Sequence, residues 1–327
     1  MINTDAKLAG NVFDKNIEQK PTRDGFGLGT VELGKQNPNV VVLCADLAES
    51  TRAEWFQKEF PDRFIEMGVA EQNMAATAAG FAAAGKLPFI ASYAAFSPGR
   101  NYEQIRTTIA LNEQQVIIGG MHAGVSVGPD GATHQMLEDI GMMRMLPNMV
   151  VINPADAQEG RKAIVAAAQS GKPAYVRFGR AATPVFTTPE TPFEIGKALT
   201  LWESPGTKKA ALIATGSLAY NTLVAARALE ADGIGTLVIN LHTIKPLDYK
   251  AIIAAAKTCG KVITIEEHQI AGGMGSAVAE VLSAEYPVPV LRLGIEDTFG
   301  QSGDPGELIE HYGLHAAHIA ERVQKFV

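Results

Sequence analysis

Two stretches of this chain carry residues able to move protons. In the first, Gly68-Val69-Ala70-Glu71-Gln72-Asn73-Met74, a lone carboxylate opens an alanine-rich run that continues to about Ala84. Met74, Ala75, Ala76, Ala78, Ala79 and Phe81 cover most of a helix circumference, which predicts a buried helix and a poorly solvated Glu71. Burying a carboxyl group without a partner disfavours its charged form, which suits a group that shares or donates a proton. The plainer alternative is an acidic side chain complementing a helix N-terminus. In the second stretch, Met121 to Gln135, the residues His122, Asp130 and His134 are spread among glycines after a predicted strand. Two histidines and an aspartate suggest a metal first, but the spacings are wide and no HxH or HxxxH occurs, so no metal is assigned to these residues. Hydrogen bonding and proton transfer to a small polyhydroxylated ligand fit the residue types better.

Holding such residues in place requires a scaffold, and the chain alternates between strand-like and helix-like segments. Val40–Cys44, Pro88–Ser92, Val116–Gly120, Met149–Asn153 and Ala174–Phe178 read as strands, with helices over Gly27–Lys35, Gln72–Ala84, Tyr102–Leu111 and Ala157–Gln169. This alternation predicts a doubly wound parallel sheet covered on both faces, with ligands bound at the carboxyl ends of its strands. The Pro- and Thr-rich Ala181–Pro192 breaks the pattern as a linker would. Alternation restarts with Ala210–Thr215, Gly235–Asn240, Lys261–Glu266 and Val288–Leu293, giving a smaller second α/β domain. Boundaries are expected at an extension over 1–20, a first domain over 21–182, a linker over 183–195 and a second domain over 196–327. Neither Gly27-Leu28-Gly29 nor Gly128-Pro129-Asp130-Gly131 matches a phosphate loop.

The 327 residues suffice for two ordinary cores. The formal charge of −7 is spread without basic clusters, which points away from nucleic acid or an anionic membrane as partner. No apolar run reaches membrane-span length and no leader pattern opens the chain, so a cytoplasmic location is the default expectation. Cys44 and Cys259 are far apart and form no CxxC, which supports neither a disulfide framework nor a cysteine metal site.

Taken together, Thr22-Arg23, Cys44-Ala45-Asp46-Leu47, the Glu71 motif and the loop ending Gly128-Pro129-Asp130-Gly131-Ala132-Thr133-His134-Gln135 resemble transketolase. The resemblance runs from about Arg23 to the C-terminus and covers the C-terminal half of that family. It implies a thiamine-diphosphate-binding, pyrimidine-type domain followed by the smaller transketolase C-terminal domain. The family's Gly-Asp-Gly motif with its following Asn pair, which holds Mg²⁺ (or Ca²⁺) and the cofactor diphosphate, is not in this sequence. The resemblance therefore implies an N-terminal transketolase subunit as partner, a second copy of this chain, and an α₂β₂ assembly with active sites between chains.

Under this resemblance the cofactor is thiamine diphosphate, and Glu71 hydrogen-bonds its aminopyrimidine N1′. The implied reaction moves a two-carbon glycolaldehyde unit from a ketose phosphate to an aldose phosphate. Tyr93 and Phe96 match two aromatic positions around the aminopyrimidine, where two Phe are more usual; Tyr102 is the candidate for the third. Asp46 matches an acidic position on the cofactor side. His134 matches the residue that contacts the donor's C1 hydroxyl and carbonyl region, and Asp130 the one that reads the C2 hydroxyl. Arg23, Ser50, His122 and Arg180 match the residues that grip the distal phosphate, where bidentate guanidinium contacts are wanted. Arg177 competes with Arg180 for this place.

Three rival readings differ from this one at particular residues. A deoxyxylulose-phosphate synthase carries an arginine close to His122. The β subunit of a 2-oxoacid dehydrogenase resembles Glu266-Glu267-His268-Gln269 but lacks the Asp-Gly-x-Thr-His of 130–134. A non-catalytic paralogue would have little use for Glu71, Asp130, His134 and the phosphate set together. In the second domain, His242 and His268 read as core or interface residues, and Gly272–Ser276 as a helix start with weak anion-binding capacity.

Overall fold

The computed structural model describes all 327 residues. Apolar runs such as Val40–Cys44, buried at every position, form strands covered on both faces. The first domain is built on a seven-stranded sheet in the order Thr243–Lys245, Val150–Ile152, Ala174–Arg177, Ile117–Met121, Leu87–Tyr93, Val40–Cys44, Phe64–Glu66. All neighbours are parallel except Thr243–Lys245, which runs antiparallel at the edge. The second domain has five strands in the order Val290–Ile295, Val262–Gln269, Ala210–Ala214, Thr236–Asn240, Leu199–Glu203, the last antiparallel. No helix is long and apolar enough to cross a membrane.

The helices differ from expectation in instructive ways. The first spans Asp24–Gln36 and so contains Gly25, Gly27 and Gly29. Cβ atoms at these positions would collide with the Gly160–Arg161 backbone, the Trp55 ring and Ile164 respectively. The glycines serve close packing against neighbouring helices. The helix of the Glu71 motif spans Glu71–Ala83. It is not buried all round: Glu71, Met74, Ala75, Ala78 and Ala79 form one buried stripe, while Gln72, Asn73, Ala76 and Gly80 are exposed. The spacing of that stripe is that of an ordinary half-buried helix, and Glu71 is its first member. After a short α-helical turn at Tyr102–Gln104, Ile105–Ala110 is a π-helix.

Three segments tie the two domains together. Residues near the N-terminus pack on the second domain, where Ala6, Val12 and Ile17 join the core around Leu212 and Leu223. The expected linker is no free tether: Ala182–Pro184 pairs antiparallel with Gln19–Pro21. Beyond it, Asp156 accepts hydrogen bonds from the Phe186 and Thr187 amides and the Thr187 hydroxyl. The same carboxylate accepts from Glu159 N and caps the helix Ala157–Gln169. Finally, Thr243–Lys245, which follows the second domain's Thr236–Asn240, completes the first domain's sheet. The core cluster between the domains accordingly mixes Ile90 and Ile118 with Ile213 and Val262.

Candidate active site

The parallel register brings the candidate residues to one edge of the first sheet. Tyr93 pairs with Met121 across neighbouring strands, so His122 begins the loop beside Tyr93. Their rings stack with centroids 3.9 Å apart at 20°. Tyr93 and Phe96 lie nearly parallel, 6.0 Å apart. His134 presents an edge-on contact to both, at 5.9 and 5.4 Å. His134 is held by Thr133, whose hydroxyl lies 2.8 Å from its Nδ1.

At one end of this aromatic row is Glu71, 2% exposed. It is not without a partner: Arg100 Nη1 donates to its Oε2 over 2.7 Å, and the same guanidinium lies 4.6 Å from the Phe96 ring centroid. Asn101 Nδ2 donates to the Glu71 carbonyl, fixing the helix start. The remaining oxygen of Glu71 accepts no hydrogen bond from the protein.

At the other end is a cationic cluster. Thr22 Oγ1 accepts from Gly179 N over 2.7 Å, which brings Arg23 and Arg180 together across the length of the domain. Arg23 Nη1 donates to the Ser50 carbonyl over 2.7 Å and lies 3.1 Å from His122 Nε2. An arginine can only donate, so His122 Nε2 accepts and its proton sits on Nδ1. Burial, then the charges of Arg23, Arg180 and Arg52, push the His122 pKa down to about 2, so the ring is neutral. His122 Nδ1 and Arg23 Nε are both buried donors with no protein partner. Donors left unpaired among arginines suit an anion. Arg180 donates to the Val127 carbonyl over 2.7 Å. Arg177 does not share this role: it is buried in an ion pair with Asp139 at 2.8 Å, joined by the Tyr175 hydroxyl.

Backbone strain marks the same edge. Asp46, Arg52 and His122 adopt left-handed φ of 58°, 66° and 54°. The amides of Asp46 and Gly68 both donate to Glu66 Oε1 over 2.8 Å, which holds the strand end.

Not every candidate joins the cluster. Ser50 contributes its backbone carbonyl to Arg23, with no hydroxyl contact. Asp46 and Asp130 are exposed, and neither carboxylate has a hydrogen-bond or ion-pair partner in the chain. Tyr102 stacks on neither Tyr93 nor Phe96, and its hydroxyl donates to the Met142 carbonyl over 3.2 Å. The glycine-rich start of the helix Met274–Glu285 is already occupied: the Glu266 carboxylate accepts from Met274 N and Gly275 N. His242 stacks on Phe193 at 4.2 Å, and His268 accepts from Gly141 N, both at the junction of the domains. No group of three or more His, Cys, Asp or Glu stands ready to hold a metal ion. Arg100 and Arg52 escaped the sequence reading. Arg52 pairs with Asp24 at 2.8 Å beside the anion-seeking donors, and its place two residues after Ser50 was the available signal.

A buried carboxylate, a row of flat rings and a group of arginines around a neutral histidine make up the candidate site, and comparison with known proteins says to which family it belongs. Residues 18–185 match the family model of the transketolase pyrimidine binding domain, and 196–319 that of the transketolase C-terminal domain. A putative transketolase C-terminal section from Methanocaldococcus jannaschii is 43% identical over 94% of this chain and 96% of its own length. One of the subunits of an apulose-4-phosphate transketolase from Phocaeicola vulgatus is 38% identical over 93% and 97%. A solved chain described as a split gene transketolase, an inactive β4 tetramer, superposes with a TM-score of 0.86 at 44% identity, covering 93% of this chain and 97% of that one. The chain belongs to the transketolase family, and its relatives include separate subunits of split transketolases.

Proposed function

We propose that this chain is the C-terminal subunit of a two-chain, thiamine-diphosphate-dependent transketolase that moves a two-carbon unit between phosphorylated sugars. The observation that carries the reading is the single row running from buried Glu71 through Phe96, Tyr93 and His122 to Arg23. Its two ends ask for different chemistry: a ring nitrogen at the carboxylate and a phosphate among the arginines. The residues fit the aminopyrimidine end of the cofactor, because Glu71 keeps one acceptor oxygen free of protein donors and is linked through Arg100 to Phe96, which lies nearly parallel to Tyr93.

When bound, the cofactor supplies the carbon chemistry that no side chain here can perform. The protein's part is placement and proton handling. Glu71 holds a hydrogen bond at the pyrimidine nitrogen, and Tyr93 and Phe96 orient the ring. His134 meets the donor sugar's C1 end and Asp130 its C2 hydroxyl. Arg23, His122 and Arg180, with the Ser50 segment, hold the distal phosphate, and neutral His122 offers it an N–H without a further charge. Asp46 contacts the cofactor side. Mg²⁺ and the diphosphate belong to the partner's half.

The name of the Phocaeicola vulgatus relative supports counting ketose phosphates other than xylulose 5-phosphate, apulose 4-phosphate among them, as candidate donors. The testing experiment co-expresses this chain with a partner carrying the Gly-Asp-Gly motif and assays two-carbon transfer from xylulose 5-phosphate or apulose 4-phosphate to aldose phosphates. Transfer that needs both chains is expected. Turnover by the purified chain alone, or none with any ketose phosphate in a properly assembled complex, overturns the reading.

A further inference from the structure

Gln135, next to His134, has its side chain fixed by both domains at once. It is 4% exposed, and its Nε2 lies 3.0 Å from the Val125 carbonyl, 3.2 Å from that of Gly128 and 2.9 Å from that of Gln301. Carbonyls converging on one atom settle the amide's orientation, since an oxygen there would face acceptors alone. The amide's Oε1 has no donor and rests against Gly300, where an added Cβ would stand 1.8 Å from it. Only glycine leaves room for that approach. The fit continues along the loop: a Cβ on Gly131 would meet Ser302 Oγ at 2.5 Å, and one on Gly128 would meet Pro305. At the loop's start, the Glu267 carboxylate of the second domain accepts from Ser126 N over 2.6 Å. The segment that carries Asp130 and His134 is thus fastened at both ends to the second domain. Between the fastenings, Gly128 and Gly131 take φ of 85° and 72°, so the unfastened backbone would have several conformations to sample.

We infer that Gln135 is a positioning residue through which residues 299–304 of the second domain set the placement of His134 and Asp130 against the donor sugar. The inference rests on the assignment of those two side chains to the donor under the proposed function. It gives the second domain a part in substrate selection without any contact with cofactor or sugar.

The test uses Gln135→Leu, Gln135→Glu and Gly300→Ala. In the full chain, hydrogen exchange over 126–136 should quicken by about tenfold or more in Gln135→Leu, with the sheet unchanged. In the enzyme assembled with its partner, each variant should raise KM for the ketose phosphate and lower kcat, each by about tenfold, while thiamine diphosphate affinity stays within about twofold. Gly300→Ala, a change in the other domain, should give the same split. Gln135→Glu should regain activity as pH falls, because a protonated carboxyl can again donate to one carbonyl. Unaltered exchange and kinetics in folded variants would overturn the inference, as would losses of cofactor affinity and melting temperature in step with kcat. Because the exchange arm needs no substrate, an inactive wild-type complex would count against the functional reading while loop order still decides this one.

Discussion

Arg100 donates to Glu71 over 2.7 Å while its guanidinium lies 4.6 Å from the Phe96 centroid. The chain therefore supplies its own planar cation to the carboxylate and ring that the proposed function assigns to the cofactor's pyrimidine. Arg100 is half-exposed, so the pair is screened on one side. Replacing Arg100 with Gln should cost the isolated chain about 1 kcal/mol, read by denaturant titration, through the buried carboxylate left behind. A variant as stable as wild type would mean that Glu71 finds another partner unaided.

Glu71→Gln keeps the shape and removes the carboxylate. In the assembled enzyme kcat should fall by about 10²–10⁴-fold with little change in melting temperature. Near-normal turnover would remove Glu71 from its role.

The cationic cluster of Arg23, His122 and Arg180 predicts a split between phosphorylated and unphosphorylated donors. Arg23→Ala or Arg180→Ala should raise KM for ketose phosphates by about tenfold or more and leave unphosphorylated ketoses little affected. Arg52→Ala should act in the same direction more weakly, since Asp24 already takes its Nε. Equal losses on both donor types would mean that these arginines do not read phosphate.

His122 ties stability to pH. Its pKa is pushed down to about 2 in the folded chain, against an ordinary value of 6.5. Between those values the unfolded chain binds more protons than the folded one, so stability is full above about pH 6.5 and declines as pH falls. His122→Asn should flatten the fall in melting temperature between about pH 6.5 and 4.5. The comparison must be with wild type at each pH, because buried Glu159, raised to about 7, contributes the opposite slope: its share of stability declines as pH rises towards that value. An unchanged profile in the variant would mean that His122 already takes up its proton in the folded chain.

Asp156 is the buried fastening of the segment between the domains. Asp156→Ala would strip the Phe186 and Thr187 amides, the Thr187 hydroxyl and a helix cap of their acceptor. A loss of about 3 kcal/mol is expected in denaturant unfolding. A loss below about 1 kcal/mol would mean that water replaces the carboxylate.

The sequence made legible what depends on short-range pattern. Fully apolar runs announced the parallel strands, and a strand followed by polar residues among glycines announced the loop of His122 and His134. Tyr93 and Phe96 were singled out by the resemblance alone; that they stand in one row with His122 depends on the parallel register that puts Tyr93 opposite Met121. Glu71 was recognised, but its Arg100 partner was not, since a pair spanning 29 positions is set by tertiary packing. Gln135 was hidden for the same reason: its meaning lies in a carbonyl 166 residues away. The antiparallel strand Thr243–Lys245 is too short to carry a period, and its partner belongs to the other domain.

That short strand also limits where such a polypeptide can be divided. A cut in the 183–195 segment would separate two apparently complete alternating patterns, yet it would strip the first sheet of its border. The parallel Val150–Ile152, buried at every position, would then offer bare amides and carbonyls to any chain able to extend them. A fragment ending there is expected to pair with copies of itself, so the useful unit for excision or fusion keeps both domains together.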